Sequence, residues 1–570
     1  MTALKRTYIL SVICLLSFLK IATPVYSSAQ NNTQYDHELF TAKEFLQNKG
    51  AETEGLKYRF GTETLAGFSD DRKKIFIIIA KEQYESYLDY PVLAYSLDSP
   101  LWKSKDTESS ITLSQIINNY DHLLKELKSI ESIYDGTQIT SVHVDSSKNG
   151  HVLLEDRRFG QKGPYNNLFP MDETADNETR CVAGCGPVAL AHILSYYHID
   201  TQPIENGFLH LNSGKKISVN LNEHPIDWSE TDADLANLML DCAASLGASV
   251  SSSSSTTSLN NFKSALISYW NYSPQCLNIS DVSDMELITN TYSELNNDRP
   301  VIVASQNHIF VCDGYDRDYL HLNFGWNGSC NGFFRALTSD ATSSNKIPFN
   351  EILTRISPLE ETLSDTITVL VPGTLSTLID AESRKRLTSL TVNGTINGDD
   401  IKLLRNMAGA IDVYNPSKGI GSLMNLDLSG ATIKGGAPYA VFYADGYIIS
   451  GTEVTPDNSS FNYTYNLSNV TDKQWKTIVN YKLDDRGDMF LERDSSGRIY
   501  ISYHTKYDNV VGNRMFADCQ NLRTITLPHS AIRIDEDAFY NCRSLQQVLN
   551  QPAKVNKKAF RECHLLEGKL

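Results

Sequence analysis

The sequence predicts an α+β protein in three parts: a small mixed N-terminal domain, a central domain combining a helical part with an antiparallel sheet, and a C-terminal solenoid. Three observations carry that prediction. A cysteine heads an apolar, Ala-rich run ending at Tyr197, and strand-like segments cluster between Pro300 and Phe334. Near the end, Phe516-Ala517-Asp518-Cys519, Phe539-Tyr540-Asn541-Cys542 and Phe560-Arg561-Glu562-Cys563 recur at spacings of 23 and 21 residues. The length of 570 residues is too great for one hydrophobic core.

From the N-terminus, Lys5 and Arg6 precede an apolar run from Tyr8 to Leu19 and the small residues Ser27-Ser28-Ala29. This order predicts a secretory signal peptide over 1–29, cleaved after Ala29, and a secreted or cell-surface location. Ile13 is bulky where a lipid site at Cys14 wants a small residue. The apolar run is too short to span a bilayer comfortably and nothing later is long enough, so no transmembrane segment is expected. Residues 30–144 read as the mixed domain, with strands at Lys73–Ala80 and Pro91–Tyr95 and a helix at Ser114–Ile130. The polar stretch Asp145 to Gly150 looks exposed and cleavable.

Residues 145–371 hold the residues suited to chemistry. Within them a helix is expected over Pro187–Tyr197, and the serine tract Ser251–Ser258 reads as a flexible loop. The grammar changes after Pro372. Over 372–510, Leu387–Ile396 and Leu423–Ile433 share alternating leucines followed by a small polar corner, which suggests a repeat-like linker domain. Over 511–570 the Phe/Cys units, with a short strand and turn at Leu522–Pro528, should stack so that each buries its apolar residues against its neighbours. Cys519, Cys542 and Cys563 are then core residues, since an unbridged cysteine packs as a small hydrophobe. The last unit stops at Leu570 soon after Cys563, leaving an unfinished repeat.

A formal charge of -17 and the lack of a clustered Lys/Arg stripe exclude nucleic acid as a natural partner. Of ten cysteines, nine follow the signal segment, an odd number that leaves at least one thiol unbridged. None has the tight double spacing of a zinc site, and no metal or cofactor is expected.

Cys185 follows Gly184 and precedes Gly186-Pro187 and the run Val188 to Leu194. Proline suits a first helical turn, where its missing N–H had no partner. Cys185 should therefore stand at a helix N-terminus, where the dipole and unpaired N–H groups favour the nucleophilic thiolate. A packed structural cysteine fits the same residue until a base is found. His192 lies about 10 Å up the same helix and is out of reach. His308 heads the strand His308–Asp313, with a second strand, Tyr319–Phe324, after a turn at Gly314 to Arg317. A hairpin symmetrical about Tyr315 and Asp316 would set Asn323 opposite His308, about 5 Å apart at Cβ, able to orient the imidazole. A core histidine is the bland alternative.

Gly184-Cys185 with its Ala-rich helix resembles the nucleophile helix of the streptopain family, a bacterial branch of the papain-like cysteine peptidases. Gly160-Gln161-Lys162-Gly163-Pro164-Tyr165-Asn166 is similar to that family's glutamine motif. The segments His308 to Gly314, His321-Leu322-Asn323-Phe324-Gly325-Trp326 and Gly332-Phe333-Phe334-Arg335 resemble its histidine and asparagine-tryptophan segments. The resemblance implies a papain-like fold and peptide-bond hydrolysis through an acyl-enzyme on Cys185. It makes His308 the base, Gln161 an oxyanion donor, Asn323 the orienting group, and Trp326, Phe324 and Gly184 the lining or shield of the cleft. Phe324 stands where the family usually has tryptophan, and Gln306-Asn307 where it commonly has glycines. Residues 30–144 become an inhibitory propeptide, removed by cleavage near Asp145–Gly150. Cys181, four residues before Cys185, is expected to pack and not to bridge to it.

The terminal units resemble BspA-type leucine-rich repeats, which implies binding of a host or surface protein. Protein or peptide substrates are the implied partners of the central domain. The alternative is a surface adhesin whose peptidase-like domain is inactive.

Overall fold

The computed structural model describes residues 35–101, 107–130, 140–141, 151–155, 157–175, 179–198, 206–221, 223, 228, 231–305, 307–338, 349–359, 362–410, 421–444, 446–454, 460–479, 481, 483–484 and 487–566. The segment expected to be a signal peptide and the expected cleavage stretch Asp145–Gly150 lie outside these. The chain forms two compact units, residues 1–161 with 280–352 and residues 162–279 with 353–570.

The first unit is built on strands that follow one another in space as Lys57–Gly61, Leu65–Asp70, Ile75–Ala80, Val92–Ser96, Gly332–Arg335, Tyr319–Asn323, Ile309–Asp316 and Val301–Ala304. They are consecutive members of a ten-stranded sheet and pair antiparallel throughout. Ile75–Ala80 is wholly buried, as a β-branched run between two covered faces should be. One face is covered by the helix Asp36–Asn48, whose Ala42, Phe45 and Leu46 join Phe68, Ile77, Ile79 and Tyr95 in a single apolar cluster. The predicted helix at Ser114–Ile130 runs over Thr107–Ile130.

The N-terminal segment does not stand apart as a separate small domain. Val92–Ser96 pairs with Gly332–Arg335, Tyr95 opposite Phe333 and Ala94 opposite Phe334, and the Tyr95 and Phe333 rings stack at 5.0 Å. Charge reinforces this joint. Asp316 accepts from both Lys49 Nζ and Tyr95 Oη, and the buried Arg335 guanidinium reaches Asp89 and the Tyr90 carbonyl. Tyr120 Oη donates to the Arg335 carbonyl at 2.8 Å.

The hairpin register differs from the predicted one. Val311, not His308, stands opposite Asn323, and Asp316 opposite Tyr319. The chain turns at Arg317-Asp318, two residues later than expected, and a bulge between Cys312 and Gly314 takes back one position of the resulting shift. Gly314 is required there, because a Cβ would lie 2.3 Å from the His151 carbonyl oxygen.

In the second unit the helix Cys185–Tyr197 packs against Asp232–Ser245, and a four-stranded sheet runs in the order Lys216–Asn220, Asn206–Leu211, Ser249–Val250, Ser255–Thr256. The serine tract is therefore not a flexible loop. Ser249 pairs with Thr256 and Val250 with Ser255, and the Ser251 N–H donates to the Ser254 carbonyl at 2.8 Å, closing a tight hairpin.

The same unit contains the solenoid. Parallel strands stack as Ser364–Val369, Ser389–Ile396, Asn425–Asp427, Thr524–Thr526 and Gln547–Leu549, beginning before the change of grammar at Pro372. Residues 440–503 enter this series as an antiparallel three-stranded sheet and a hairpin. Phe516, Phe539 and Phe560 stack at 5.5 and 5.3 Å. Cys519, Cys542 and Cys563 are buried core residues. The Cys542 thiol donates to the Phe516 carbonyl at 3.0 Å and the Cys563 thiol to that of Phe539 at 2.9 Å, each tying one unit to the one before. Phe539, stacked on both sides, should be the costliest of these residues to remove. Phe539→Ala is expected to lose about 3–5 kcal/mol of local stability, read as faster amide exchange over residues 524–549 than in the parent chain.

Candidate active site

Helix and hairpin supply the two halves of the predicted chemistry, and each unit's half can be built from its own residues. In the second unit Cys185 is the first residue of its helix, with Gly184 as N-cap and Pro187 in the first turn. Gly184 has φ +89°, the left-handed region that glycine enters without steric cost. A Cβ there would lie 2.1 Å from that of Ser255, so the serine hairpin presses directly on the cysteine's approach. Thr257 closes on Gly186 in the same way. The hairpin is pinned in turn: Val182 N–H donates to the Ser251 carbonyl at 2.9 Å, and Ser252 N–H to Asp172 Oδ2 at 2.7 Å. Hydrogen bonds from the Thr174 hydroxyl and from Ser252 hold Asp172 well below the usual carboxylate range. Sequence reasoning missed this brace, because a run of serines carries no apolar alternation to mark its strands.

Cys181 packs, as expected. It is wholly buried, its carbonyl accepts from Asn166 Nδ2 at 2.9 Å, and burial pushes its thiol up to about 11. No disulfide joins the described cysteines. Cys185 is only partly buried, the one described cysteine that keeps access to solvent. His192 is buried farther along the helix, as packing.

In the first unit His308 immediately precedes the strand Ile309–Asp316 and is 4 % exposed. Its ring lies in an aromatic stack: Trp326 at 4.6 Å, Phe310 at 5.5 Å and Phe324 at 6.2 Å, with Trp326 and Phe324 themselves stacked at 5.0 Å. Nε2 makes a 2.9 Å hydrogen bond with the Phe324 carbonyl. Burial among these rings pushes the His308 pKa down to about 4, against a small upward pull from that carbonyl. The imidazole is neutral at pH 7.

Asn323 is not paired with His308 in the sheet, where Val311 stands opposite it. Its Nδ2 donates to the Arg157 carbonyl at 3.0 Å and its Oδ1 accepts from Gly325 N–H at 3.2 Å, so it fixes the backbone around Phe324. Asn331 does the same from the other side, accepting from Phe324 N–H at 3.0 Å. The carbonyl that receives His308 is thus held by two asparagines, of which the sequence pointed to one. Asp313 and His321 form a further buried pair at 2.6 Å, brought together by the bulge. Gln161, in this unit, is 8 % exposed, and its Nε2 has no hydrogen-bond partner among the described residues. An orphaned buried amide donor is costly unless a ligand acceptor uses it.

Residues 159–334 match the Peptidase C10 family, and residues 498–568 match the BspA type leucine rich repeat region in six copies. The chain carries a cysteine-type peptidase domain of the Peptidase C10 family. It is 24% identical over 278 residues to streptopain of Streptococcus pyogenes, both serotype M28 strain MGAS6180 and serotype M1, across 43% of this chain and 68% of each relative. Among solved structures it is similar to a fragment of Prevotella intermedia prointerpain A, at a TM-score of 0.43 and 20% identity over 53% of this chain and 97% of that one. It is also similar to active Prevotella intermedia interpain A, at 0.32 and 22% over 38% and 98%. The Peptidase C10 match runs through Gln161, Cys185, His308, Asn323 and Trp326, while the repeat match starts at 498, ahead of the boundary expected at 511.

Two measurements check the geometry. An exposed histidine binds its proton near pH 6.5, whereas His308 as buried should stay neutral until about pH 4. Any state that exposes His308 therefore gains on the closed one as pH falls through 6.5, and the gain levels off below about 4. Ring resonances of His308 in the intact chain should follow this, and an ordinary titration near 6.5 would contradict the burial. Gly184→Ala should cost more than about 1 kcal/mol through its φ and the Ser255 clash together. Ser255→Gly in the same chain should recover only the steric part in thermal unfolding.

Proposed function

We propose that this peptidase is a secreted endopeptidase, synthesised as a zymogen, that cleaves protein substrates through an acyl-enzyme on Cys185. The observation that carries the reading is that the Peptidase C10 match encloses both Cys185, at a helix N-terminus, and His308, in its aromatic stack. In the proposed reaction His308 takes the Cys185 thiol proton, the thiolate attacks the scissile carbonyl, and the His308 imidazolium gives that proton to the leaving amine as the C–N bond breaks. Water then attacks the thioester as His308 takes its proton, and the acid is released with the thiol restored. Gln161 Nε2 and the Cys185 N–H receive the oxyanion, a role that matches the lack of any other partner for that amide. Asn323 acts on His308 through the Phe324 carbonyl, by holding the backbone on both sides of it, and Trp326 shields the ring from water.

Two features support synthesis as a zymogen. Strand Val92–Ser96 of the N-terminal segment is paired to Gly332–Arg335, and Cys330 N–H, in the turn after Trp326, donates to the Pro100 carbonyl at 2.8 Å. His308 is also closed in, its Nε2 occupied and its pKa too low for a base at neutral pH. Activation then consists of loosening the N-terminal segment and turning the imidazole out of its stack. The BspA-type repeats supply a protein-binding surface, and no helix of the described residues is long and apolar enough to cross a membrane.

Cys185→Ala should abolish casein hydrolysis and self-maturation together while leaving the circular dichroism spectrum unchanged. Full activity in that variant would overturn the assignment. Gln161→Ala should lower kcat about a hundredfold with little change in KM. If the domain is an inactive scaffold for an adhesin, the processed protein will not be labelled stoichiometrically at Cys185 by an epoxide probe.

A further inference from the structure

In the second unit the C-terminal repeats connect, through one helix, to the first turn of the helix that carries Cys185. The connecting helix is Leu259–Ser268, the next element in the chain after the serine hairpin. Toward Cys185 this stretch closes on Gly186. A Cβ built there would lie 2.4 Å from Thr257 Cγ2 and 3.7 Å from Phe262 Cζ, and Phe262 is wholly buried. Toward the repeats the helix is held at both ends. We propose that the repeats are a positioning element of the peptidase, in which Arg543 and Gln546 set, through this helix, the turn that presents Cys185. The proposal rests on Cys185 being the nucleophile, and it gives a part in the reaction to a region otherwise assigned to binding.

At the N-terminal end Arg543 Nη1 donates to Asn261 Oδ1 at 3.3 Å, and the same oxygen accepts from Ser258 Oγ at 3.1 Å. Ser258 is the N-cap of the helix and follows Thr257, so a side chain from the repeats fixes the point where hairpin becomes helix. Asn261 Nδ2 donates to the Leu246 carbonyl at 3.0 Å, at the end of the helix Asp232–Ser245 that packs against Cys185–Tyr197. At the C-terminal end the Ser268 carbonyl accepts from Arg523 Nη2 at 3.2 Å and from Gln546 Nε2 at 3.0 Å. Ser268 Oγ donates to the Ser544 carbonyl at 3.4 Å. Ser268 and Gln546 are both buried, and a buried acceptor that loses its donor is costly, so the helix end follows the repeats.

These few hydrogen bonds decide the helix position because the space beside them is not filled. A cavity of about 370 Å³ lies there, with Asn261 and Ser264 on the helix side and Arg543 and His564 on the side of the repeats. Without Arg543 the helix start settles toward that space, and Thr257 and Phe262 move with it. Gly186 has no side chain to take up the shift, and Gly184 is already pressed by Ser255. The N–H groups of the first turn then no longer converge on the sulfur, and the thiolate loses part of its support. A misplacement of about 1 Å lowers a rate about a hundredfold, so a shift of half that size should cost about tenfold.

The test compares the parent with Arg543→Ala, Gln546→Ala, Thr257→Ser and the combination of Arg543→Ala with Thr257→Ser. Iodoacetamide alkylation is mapped to Cys185 in the full chain, and casein hydrolysis is measured after processing. Each repeat variant should slow alkylation at pH 7 about tenfold and lower kcat to the same degree, with KM within about twofold. At pH 10, where almost every accessible thiol is ionised, alkylation should match the parent. Unfolding gives a different pattern, since it speeds alkylation at both pH values. Arg543 is only half-buried, so its variant reads the link even if Gln546→Ala disturbs the repeats. Thr257→Ser, which removes the methyl that closes on Gly186, should give a similar loss, and the combined variant no further one. Parent rates in both repeat variants, a loss at pH 10 equal to that at pH 7, or losses that multiply in the combined variant would overturn the proposal. A parent chain inactive on casein, whose Cys185 alkylation still responds to Arg543→Ala and Gln546→Ala, would sink the acyl-enzyme reading and support the link itself.

Discussion

The antiparallel pairing of Ile309–Asp316 with Tyr319–Asn323 sets where each polar group of the histidine half falls. A one-residue bulge at Asp313 turns that side chain toward His321, and the pair is buried at 2.6 Å. The turn at Arg317-Asp318 sets Asn323 against Val311 once that bulge is counted, so that His308 lies beyond the paired stretch and meets the Phe324 carbonyl. Side chains alternate with a period of two, so one extra residue reassigns every contact on the far side of it. The peptide at Phe324 then needs a firm hold, and Asn323 and Asn331 provide it from either flank.

Burial decides the state of the imidazole. Four aromatic or ring groups, Phe310, Phe324, Trp326 and His308 itself, close on one another, and in that apolar environment the charged form of histidine loses its hydration. One carbonyl returns part of that loss, and the balance stays on the neutral side. The N-terminal segment helps maintain the arrangement indirectly. It adds strands to the edge formed by Gly332–Arg335 and latches the turn at Cys330, and both belong to the loop and strand that follow Trp326. Separation of that segment would leave Asp316 without Lys49 and Tyr95, and Arg335 without Asp89, so the joint is held by charge as well as by sheet pairing.

What was legible in the sequence followed from local signals. Gly184, Pro187 and the apolar run fixed the helix start at Cys185, because each has a preferred position at a helix N-terminus and the run continues the pattern. The recurrent Phe and Cys spacing gave stacked units with buried cysteines, since a repeat can bury its core only against copies of itself. Leu387–Ile396 and Leu423–Ile433 fell in the parallel stack for the same reason. The hairpin register was not legible, because Gly314 also suits a turn and drew the expected corner two residues early, whereas the chain turns at Arg317-Asp318. The serine hairpin was hidden by composition. Its strands are specified by partners distant in sequence, Asp172 and Val182, and not by its own side chains. The fusion of the N-terminal segment into one sheet was equally remote, resting on strand partners more than two hundred residues apart.

The repeats are bound into the second unit and do not hang from a linker. Arg523 Nη2 and Gln546 Nε2 both donate to the Ser268 carbonyl, at 3.2 and 3.0 Å, where the helix Leu259–Ser268 ends. Terminal carbonyls of a helix lack intrahelical partners, so these two side chains satisfy a group that otherwise needs water. Gln275 Nε2 reaches Ser422 Oγ at 3.2 Å, which extends the contact to the earlier part of the stack. A solenoid strand can therefore be traced through its side chains to a helix end that packs with the Cys185 half of the peptidase. The repeats therefore belong to the same compact unit that carries the nucleophile.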